Sequence, residues 1–282
     1  MHNIIYLRIL LFFMRTAHTI IFLSVLILFA SCNGYEKVLK SDDINYKLTR
    51  ANNYYDKRQY QKANGVYQSL LPVMKGTKDF ELLYYKYAYT AFYLKDYLAA
   101  SYHFKNFTDY FPSSKDADEA EYMHAYCLFK ESPKFSLDQT NTYKAMEAMQ
   151  SYINMHPASK RVPEANNLMM QMRNKLELKD ADAAKLYYNI GHFKAASVAY
   201  KLMLENYPES SNADFYQFMT MQSNYNFATA SIKEKQEERL SNAAADYDEL
   251  KSSYPQSKYL SEAVKIKTQI QNNLNKLRNE HQ

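Results

Sequence analysis

The feature that most constrains this chain is a frame that recurs along it. In Phe193–Ser210, FKAASVAYKLMLENYPES, Ala196 is followed at fixed intervals by Tyr200, Tyr207, Pro208 and Ser210. The same intervals return as Ala100, Phe104, Phe111, Pro112, Ser114, as Ala145, Met149, His156, Pro157, Ser159, and as Ala243, Tyr247, Tyr254, Pro255, Ser257. A degenerate copy keeps Tyr60, Ala63 and Tyr67 and lacks a proline in register. A small residue and an aromatic at i and i+4 share one helix face, and the alanine lets a neighbouring helix come close. Proline then ends the helix, and the residue before it is pushed out of the α region. The serine is expected to cap the next helix. Repetition at this period predicts an array of helix pairs.

Composition agrees. There are four glycines, too few for the turns of a β-sandwich or a doubly wound sheet, against 28 tyrosines and 15 phenylalanines that suit helix-packing layers. The expected fold is all-α, a superhelical solenoid of about five helix pairs closed by a C-terminal capping helix. Net charge is +5, and removing Arg8 and Arg15 with the leader leaves 33 basic residues against 30 acidic ones. That excludes a nucleic-acid footprint, and no basic block stands out.

Residues 1–31 read as a secretory signal. Arg15 precedes an apolar core from Ile20 to Ala30, far short of the ~20 residues that span a bilayer. Met14–Arg15 resembles an ordinary start, which makes residues 1–13 an upstream start-codon artefact. The segment ends FASC, resembling a bacterial lipoprotein box with Phe29 in place of the usual leucine, and Cys32 is the expected site of lipidation. Residues 32–40 then form a lipidated tether. The residues after Cys32 lack an immediate acid, which favours retention on the inner face of an outer membrane. Cys127, left alone by lipidation, is expected to be a buried small hydrophobe.

The array is expected to divide into repeats 1–3 over residues 41–160 and repeats 4–5 plus the cap over 161–282. The first pair has a helix ending near Tyr60 and a second from about Gln61 to Leu71, stopped at Pro72. In the second pair, FELLYYKYAYTAFY places aromatics all round one helix, and Tyr84, Tyr85, Tyr89, Phe92 and Tyr93 are the candidate peptide-binding patch. The segment KESPKFSLDQTNT is a long loop before a helix from Tyr143. From about Pro163 the pattern is helical through LYYNI, either as one long helix or with a boundary near Lys179 and Asp180. The charged run SIKEKQEERL is an expanded connection, a solvated helix start or loop. The frame residues Ala63, Ala100, Ala145, Ala196, Ala243, Pro112, Pro157, Pro208 and Pro255 are structural.

No metalloprotease, dithiol, nucleophile-elbow or phosphate-loop motif occurs, and His103, His124, His156, His192 and His281 are scattered. No catalytic, cofactor-binding or metal-binding residue is expected, the only attached group being the lipid on Cys32.

The pairs resemble tetratricopeptide repeats: Ala184, Tyr187, Phe193, Ala196, Tyr200 and Pro208 fall at that motif's spacing, as do Ala51, Tyr54, Tyr60, Ala63 and Tyr67. Combined with the lipoprotein box and CNGYEKVLKS after it, the chain from residue 32 resembles the BamD family, repeat lipoproteins of the outer-membrane β-barrel assembly machinery. The resemblance implies an outer-membrane, lipid-anchored protein facing the periplasm. It also implies that N-terminal pairs contact unfolded barrel substrates and C-terminal pairs dock on the barrel-shaped insertase. Two other readings remain: a different periplasmic repeat lipoprotein coordinating envelope processes, and a glycan-binding lipoprotein, against which the absence of tryptophan speaks.

Overall fold

The computed structural model describes residues 34–280. The signal segment, the upstream-start reading of residues 1–13, Cys32 and His281 lie outside the described residues. Residues 34–39 are helical (α1). After them come α2 (Ile44–Asp56), α3 (Tyr60–Met74), α4 (Phe80–Tyr93), α5 (Tyr97–Tyr110), α6 (Ala117–Lys130) and α7 (Thr140–Met155). Next are α8 (Val162–Asn189), α9 (Phe193–Asn206), α10 (Ala213–Thr229), α11 (Lys233–Ser253) and α12 (Leu260–Glu280). No strand occurs among the described residues. This is an all-α, tetratricopeptide-like helical-repeat fold.

Two compact units are present, residues 34–132 with 140–166, and residues 133–139 with 167–280. In the first, each helix from α2 to α7 packs on the next. In the second, α9, α10, α11 and α12 pack in succession, and α10 also touches α12. The frame alanines Ala63, Ala100, Ala145, Ala196 and Ala243 are all completely buried. A larger side chain at any of them would push neighbouring helices apart. Pro112, Pro157, Pro208 and Pro255 stand exposed in the turns between pairs.

The serines behave differently from the expected caps. Asp116 and Asn212 occupy the N-cap positions of α6 and α10, and neither caps with its side chain. Each serine instead closes the turn two residues ahead. Ser114 Oγ accepts the Asp116 N–H (3.1 Å), and Ser159, Ser210 and Ser257 take the N–H of Arg161, Asn212 and Tyr259. The same hydroxyls donate to a carboxylate on the first helix of their own pair. Ser114 reaches Glu81 (2.6 Å), Ser159 Asp118 (2.8 Å), Ser210 Glu177 and Ser257 Asp214 (2.8 Å). A hydroxyl can donate and accept at once, so one side chain ties the turn to the start of its pair.

The turn inside a pair has its own rule. Arg58 (φ 56°), Lys95 (φ 62°) and Gly191 (φ 79°) each stand two residues before the second helix and take the left-handed conformation. The next N–H reaches back to a carbonyl in the preceding helix, as in Gln59 to Tyr54, Asp96 to Ala91 and His192 to Tyr187. This is a Schellman turn, which glycine enters without strain and Arg58 and Lys95 do not.

Three sequence expectations need correction, and one open reading is decided. α3 continues through Pro72 to Met74, because proline sits in the last turn, where buried Leu70 and Met74 hold the helix against its neighbours. α7 starts at Thr140, so the long connection is shorter than read; Gln139 Nε2 donates to the carbonyls of Lys134 and Leu137, and Lys179 Nζ to that of Leu137 (2.8 Å). Of the two readings of the charged run the helix start holds, not the loop: α11 begins at Lys233 and gains its extra length there, with Leu240 buried. The segment after Cys32 is not a loose tether either, since α1 buries Val38 completely.

α8 is one helix of 28 residues, with no boundary near Lys179 and Asp180. In α12, Ala263, Ile266, Ile270 and Leu277 are buried while Val264 is exposed.

Candidate peptide-binding surfaces

The aromatic patch of α4 divides between two sides of the helix. Tyr84 is buried with Phe80 and Tyr87, its ring edge-on to Tyr110 and His103, and Asn106 donates to its hydroxyl. Burial pushes its phenol up to about 12. Tyr84 therefore lies inside the packing. Tyr85, Tyr89 and Phe92 are half-buried on the other side, and Tyr93 is exposed (44 %).

That side is a continuous run of rings. Tyr85 meets Tyr89 edge-on (5.0 Å between centroids), both rest on completely buried Phe104, and Tyr85 also meets Phe107. Tyr93 stacks on Tyr60 at 4.3 Å, and Tyr55 joins both edge-on. In the other direction Phe92 leads to Tyr126, and Tyr126 stacks on Tyr122. Each such ring pair contributes about 0.5–1.5 kcal/mol beyond area burial, so the surface is fixed in place before any ligand arrives.

Polar groups interrupt the rings at regular places. Lys86 Nζ lies over Tyr55 (5.3 Å) and donates to Asn52 Oδ1 (3.0 Å), which also accepts from Tyr67. Tyr89 Oη donates to Glu119 (3.4 Å), whose carboxylate takes two bonds from Arg161, and Arg161 lies over Tyr122 at 4.7 Å. Burial raises the Tyr55 and Tyr89 phenols beyond the ordinary range, so both remain neutral donors. The face therefore combines packed rings with a fixed set of polar side chains.

The second unit carries a different surface. Tyr187, His192, Phe193, Val198, Leu202 and Phe227 line an open groove of about 750 Å³. Val198 and Leu202 are about half exposed on α9, and Tyr187 at the end of α8 is also exposed. A cavity of about 400 Å³ adjoins it through Lys194, Val198 and Phe227, and its lining includes Lys201, Arg239, Asn224 and Asp246. Burial raises the Asp246 carboxyl, which accepts from Asn224 (2.6 Å). This groove was missed in the sequence, although Val198 and Leu202 sit inside the repeat frame at positions facing away from Ala196 and Tyr200.

The histidines form no metal set, and no group of three or more possible ligands exists among the described residues. His103 lies beside Tyr84, His124 meets Ser101 (2.9 Å), and His156 bridges Glu121 and Asp118. Cys127 is completely buried and its thiol is pushed up to about 12, which leaves it inert.

A family model described as outer membrane lipoprotein, YfiO, matches residues 42–226 and again residues 180–279. The chain belongs to this outer membrane lipoprotein family. The family is non-enzymatic and places the protein at the outer membrane; no helix among the described residues is long and apolar enough to cross a membrane. The chain is also similar to a protein of Aquifex aeolicus (strain VF5) named "Putative outer membrane protein assembly factor BamD", with 27% identity over 161 residues. That stretch is 57% of this chain and 51% of the relative, so the chain spans about half the length of the curated relative it matches. Within the outer membrane lipoprotein family, both surfaces described above fall inside the matched residues.

Proposed function

We propose that this protein is a periplasm-facing scaffold of outer-membrane β-barrel assembly, held to the membrane by lipid on Cys32. The observation that carries this reading is the pre-formed aromatic face of the first unit in a chain of the outer membrane lipoprotein family. Barrel strands carry aromatic girdles at both membrane interfaces and alternate apolar with polar residues. An unfolded barrel segment thus brings rings that pair with Tyr85, Tyr89, Phe92 and Tyr93. Its unpaired backbone groups meet Asn52, Lys86 and Glu119.

The second unit has a separate task in this reading. Its groove beside α9 suits a folded partner that buries Val198 and Leu202, and the barrel-shaped insertase is the proposed occupant. An obligate or long-lived interface favours such an apolar centre with a polar rim, here Lys194, Lys201 and Arg239.

Depletion of the protein in living cells tests the reading. Folded outer-membrane barrels should fall while other lipoproteins persist, and the insertase should be recovered with the solubilised, affinity-captured protein. Unchanged barrel levels on depletion would remove the assembly role.

A further inference from the structure

The segment between the lipidation site and the repeats is built as a part of the fold. α1 lies against α2 and α3. Val38 is completely buried, the Tyr35 ring meets Tyr54 edge-on at 6.0 Å, and Lys47 Nζ donates to the Leu39 carbonyl (3.0 Å). Gly65 in α3 makes the seat: a Cβ there would collide with the Tyr35 hydroxyl. A mid-helix glycine costs about 0.5–1 kcal/mol relative to alanine, so this notch is bought at some expense to α3.

Only Asn33 separates Cys32 from Gly34, and the two intervening steps of chain span at most about 7 Å. Six residues of α1 add about 9 Å. Any lipid on Cys32 therefore keeps this end of the first unit within roughly two screening lengths of the bilayer surface at physiological salt. The side chains carried there are mostly cationic. Lys37 on α1 and Lys40 in the turn after it are exposed, and Lys47, Arg50 and Lys62 stand beside them on α2 and α3. Arg50 and Lys62 both lie over the Tyr54 ring, at 5.2 and 5.8 Å. The acids nearby are Glu36, paired with Lys40 at 3.4 Å, and Asp42 and Asp43 at the α1–α2 junction, Asp43 being engaged as the cap of α2.

We propose that α1 is a rigid mount for the lipid anchor, seated by Tyr35 in the Gly65 notch, and that the end of the first unit formed by α1, α2 and α3 faces and binds anionic phospholipid headgroups. This rests on acylation of Cys32 in the scaffold reading above. On a loose tether the first helix pair would sample many orientations; on the mount it keeps one end toward the membrane. The aromatic face begins in the same helix pair, with Tyr55 and Tyr60, so its first rings are held at a set height above the bilayer. Charge adds to the lipid: each lysine or arginine at an anionic surface contributes about 1 kcal/mol.

The test uses the full acylated protein in vesicles of phosphatidylglycerol and phosphatidylethanolamine containing a headgroup nitroxide lipid. A fluorophore is placed at Lys37→Cys or, for comparison, at Gln150→Cys on α7; native Cys127 is buried and does not compete. The label at 37 should be quenched at least threefold more than the label at 150. Gly65→Ala, which expels the tyrosine, and Tyr35→Ser, which empties the notch, should each reduce that difference at least twofold, while Tyr35→Phe keeps it. Far-UV circular dichroism checks that both variants retain their helices. Equal quenching at both positions, or no change in Gly65→Ala and Tyr35→Ser, overturns the mount. The unacylated Cys32→Ser protein should bind phosphatidylglycerol vesicles at low salt and not phosphatidylcholine vesicles; equal binding to both overturns the headgroup surface. Intact-mass measurement separates the premises: protein without acyl groups would refute the anchor itself and the mount with it.

Discussion

The two units share one repeat frame and fill it with different chemistry. In the first, the completely buried large side chains are Tyr67, Phe104, Phe107, Tyr122 and Tyr152, with Leu70, Leu83 and Met149 between them. In the second they are Met172, Met203, Met221, Leu240, Leu250 and Ile270, with Tyr200 the one ring at that depth and Tyr216 and Phe218 nearly as buried. Rings pair with preferred angles, whereas thioethers adapt to the space given. The surfaces differ too: rings with hydroxyls and fixed polar partners on the first unit, and on the second an open groove where Val198 and Leu202 stand among Tyr187, His192, Phe193 and Phe227. One repeat therefore carries two kinds of surface, a face of paired rings on the first unit and an open groove on the second.

The largest expected effect tests the cores. Phe104→Ala should cost about 3–5 kcal/mol, since it removes the floor beneath Tyr85 and Tyr89. Met203→Leu in the second unit should stay within about 1.5 kcal/mol. Chemical denaturation of both proteins measures this; a Met203→Leu cost matching that of Phe104→Ala would erase the contrast.

Next in size is the division of binding. Tyr93→Ala should weaken an aromatic-rich barrel peptide about tenfold, near 1.4 kcal/mol, in a fluorescence anisotropy titration. Leu202→Asp should leave that titration unchanged and reduce recovery of the insertase. If each variant harms both partners equally, the surfaces are not separate.

A smaller effect separates the serine ties. Ser114→Ala should cost about 1 kcal/mol. Ser210→Ala should cost less, because Tyr216 still donates to Glu177 at 2.6 Å. Equal thermal shifts for the two variants would count against this ordering.

The smallest effect is in pH. Burial holds His103 and His124 below the ordinary imidazole value of 6.5. The unfolded chain therefore takes up protons first on acidification, and the first unit loses stability as pH falls through that value. Asp246 is shifted the other way, raised from 3.8 by burial. There the folded chain holds the proton more tightly, so this residue's contribution to the second unit falls as pH rises through the carboxylate range and recovers below it. Hydrogen exchange, read unit by unit at several pH values, should show these opposite slopes, with His124→Gln and Asp246→Asn each flattening one of them.

Much of this was legible in the chain. Alanine, aromatic and proline at fixed spacing specify buried contact, groove filling and helix end by steric rules that act within one turn, and all five alanines are buried where the frame puts them. The carboxylate partners of the serines were not legible, because they lie 33, 41, 33 and 43 residues upstream with no constant interval. The charged start of α11 reads equally as helix start or loop because its charges are solvated in either state, and buried Leu240 decides for the helix. In α4 every face is aromatic, so periodicity could not separate buried Tyr84 from exposed Tyr93; the neighbours Phe104, His103 and Tyr110 decide it.

The serine ties also bear on how the chain reaches its folded state. Each one joins a turn to the first helix of its own pair, and the helices of the first unit pack chiefly on their sequence neighbours from α2 to α7. A polypeptide threaded through a membrane emerges from one end. Here a pair can close as soon as its own turn has crossed, without waiting for anything further along. Contacts this local keep folding fast and leave few apolar faces uncovered in transit. The recurring Pro-x-Ser is thus a stop placed where each completed pair can be sealed while the next is still being delivered.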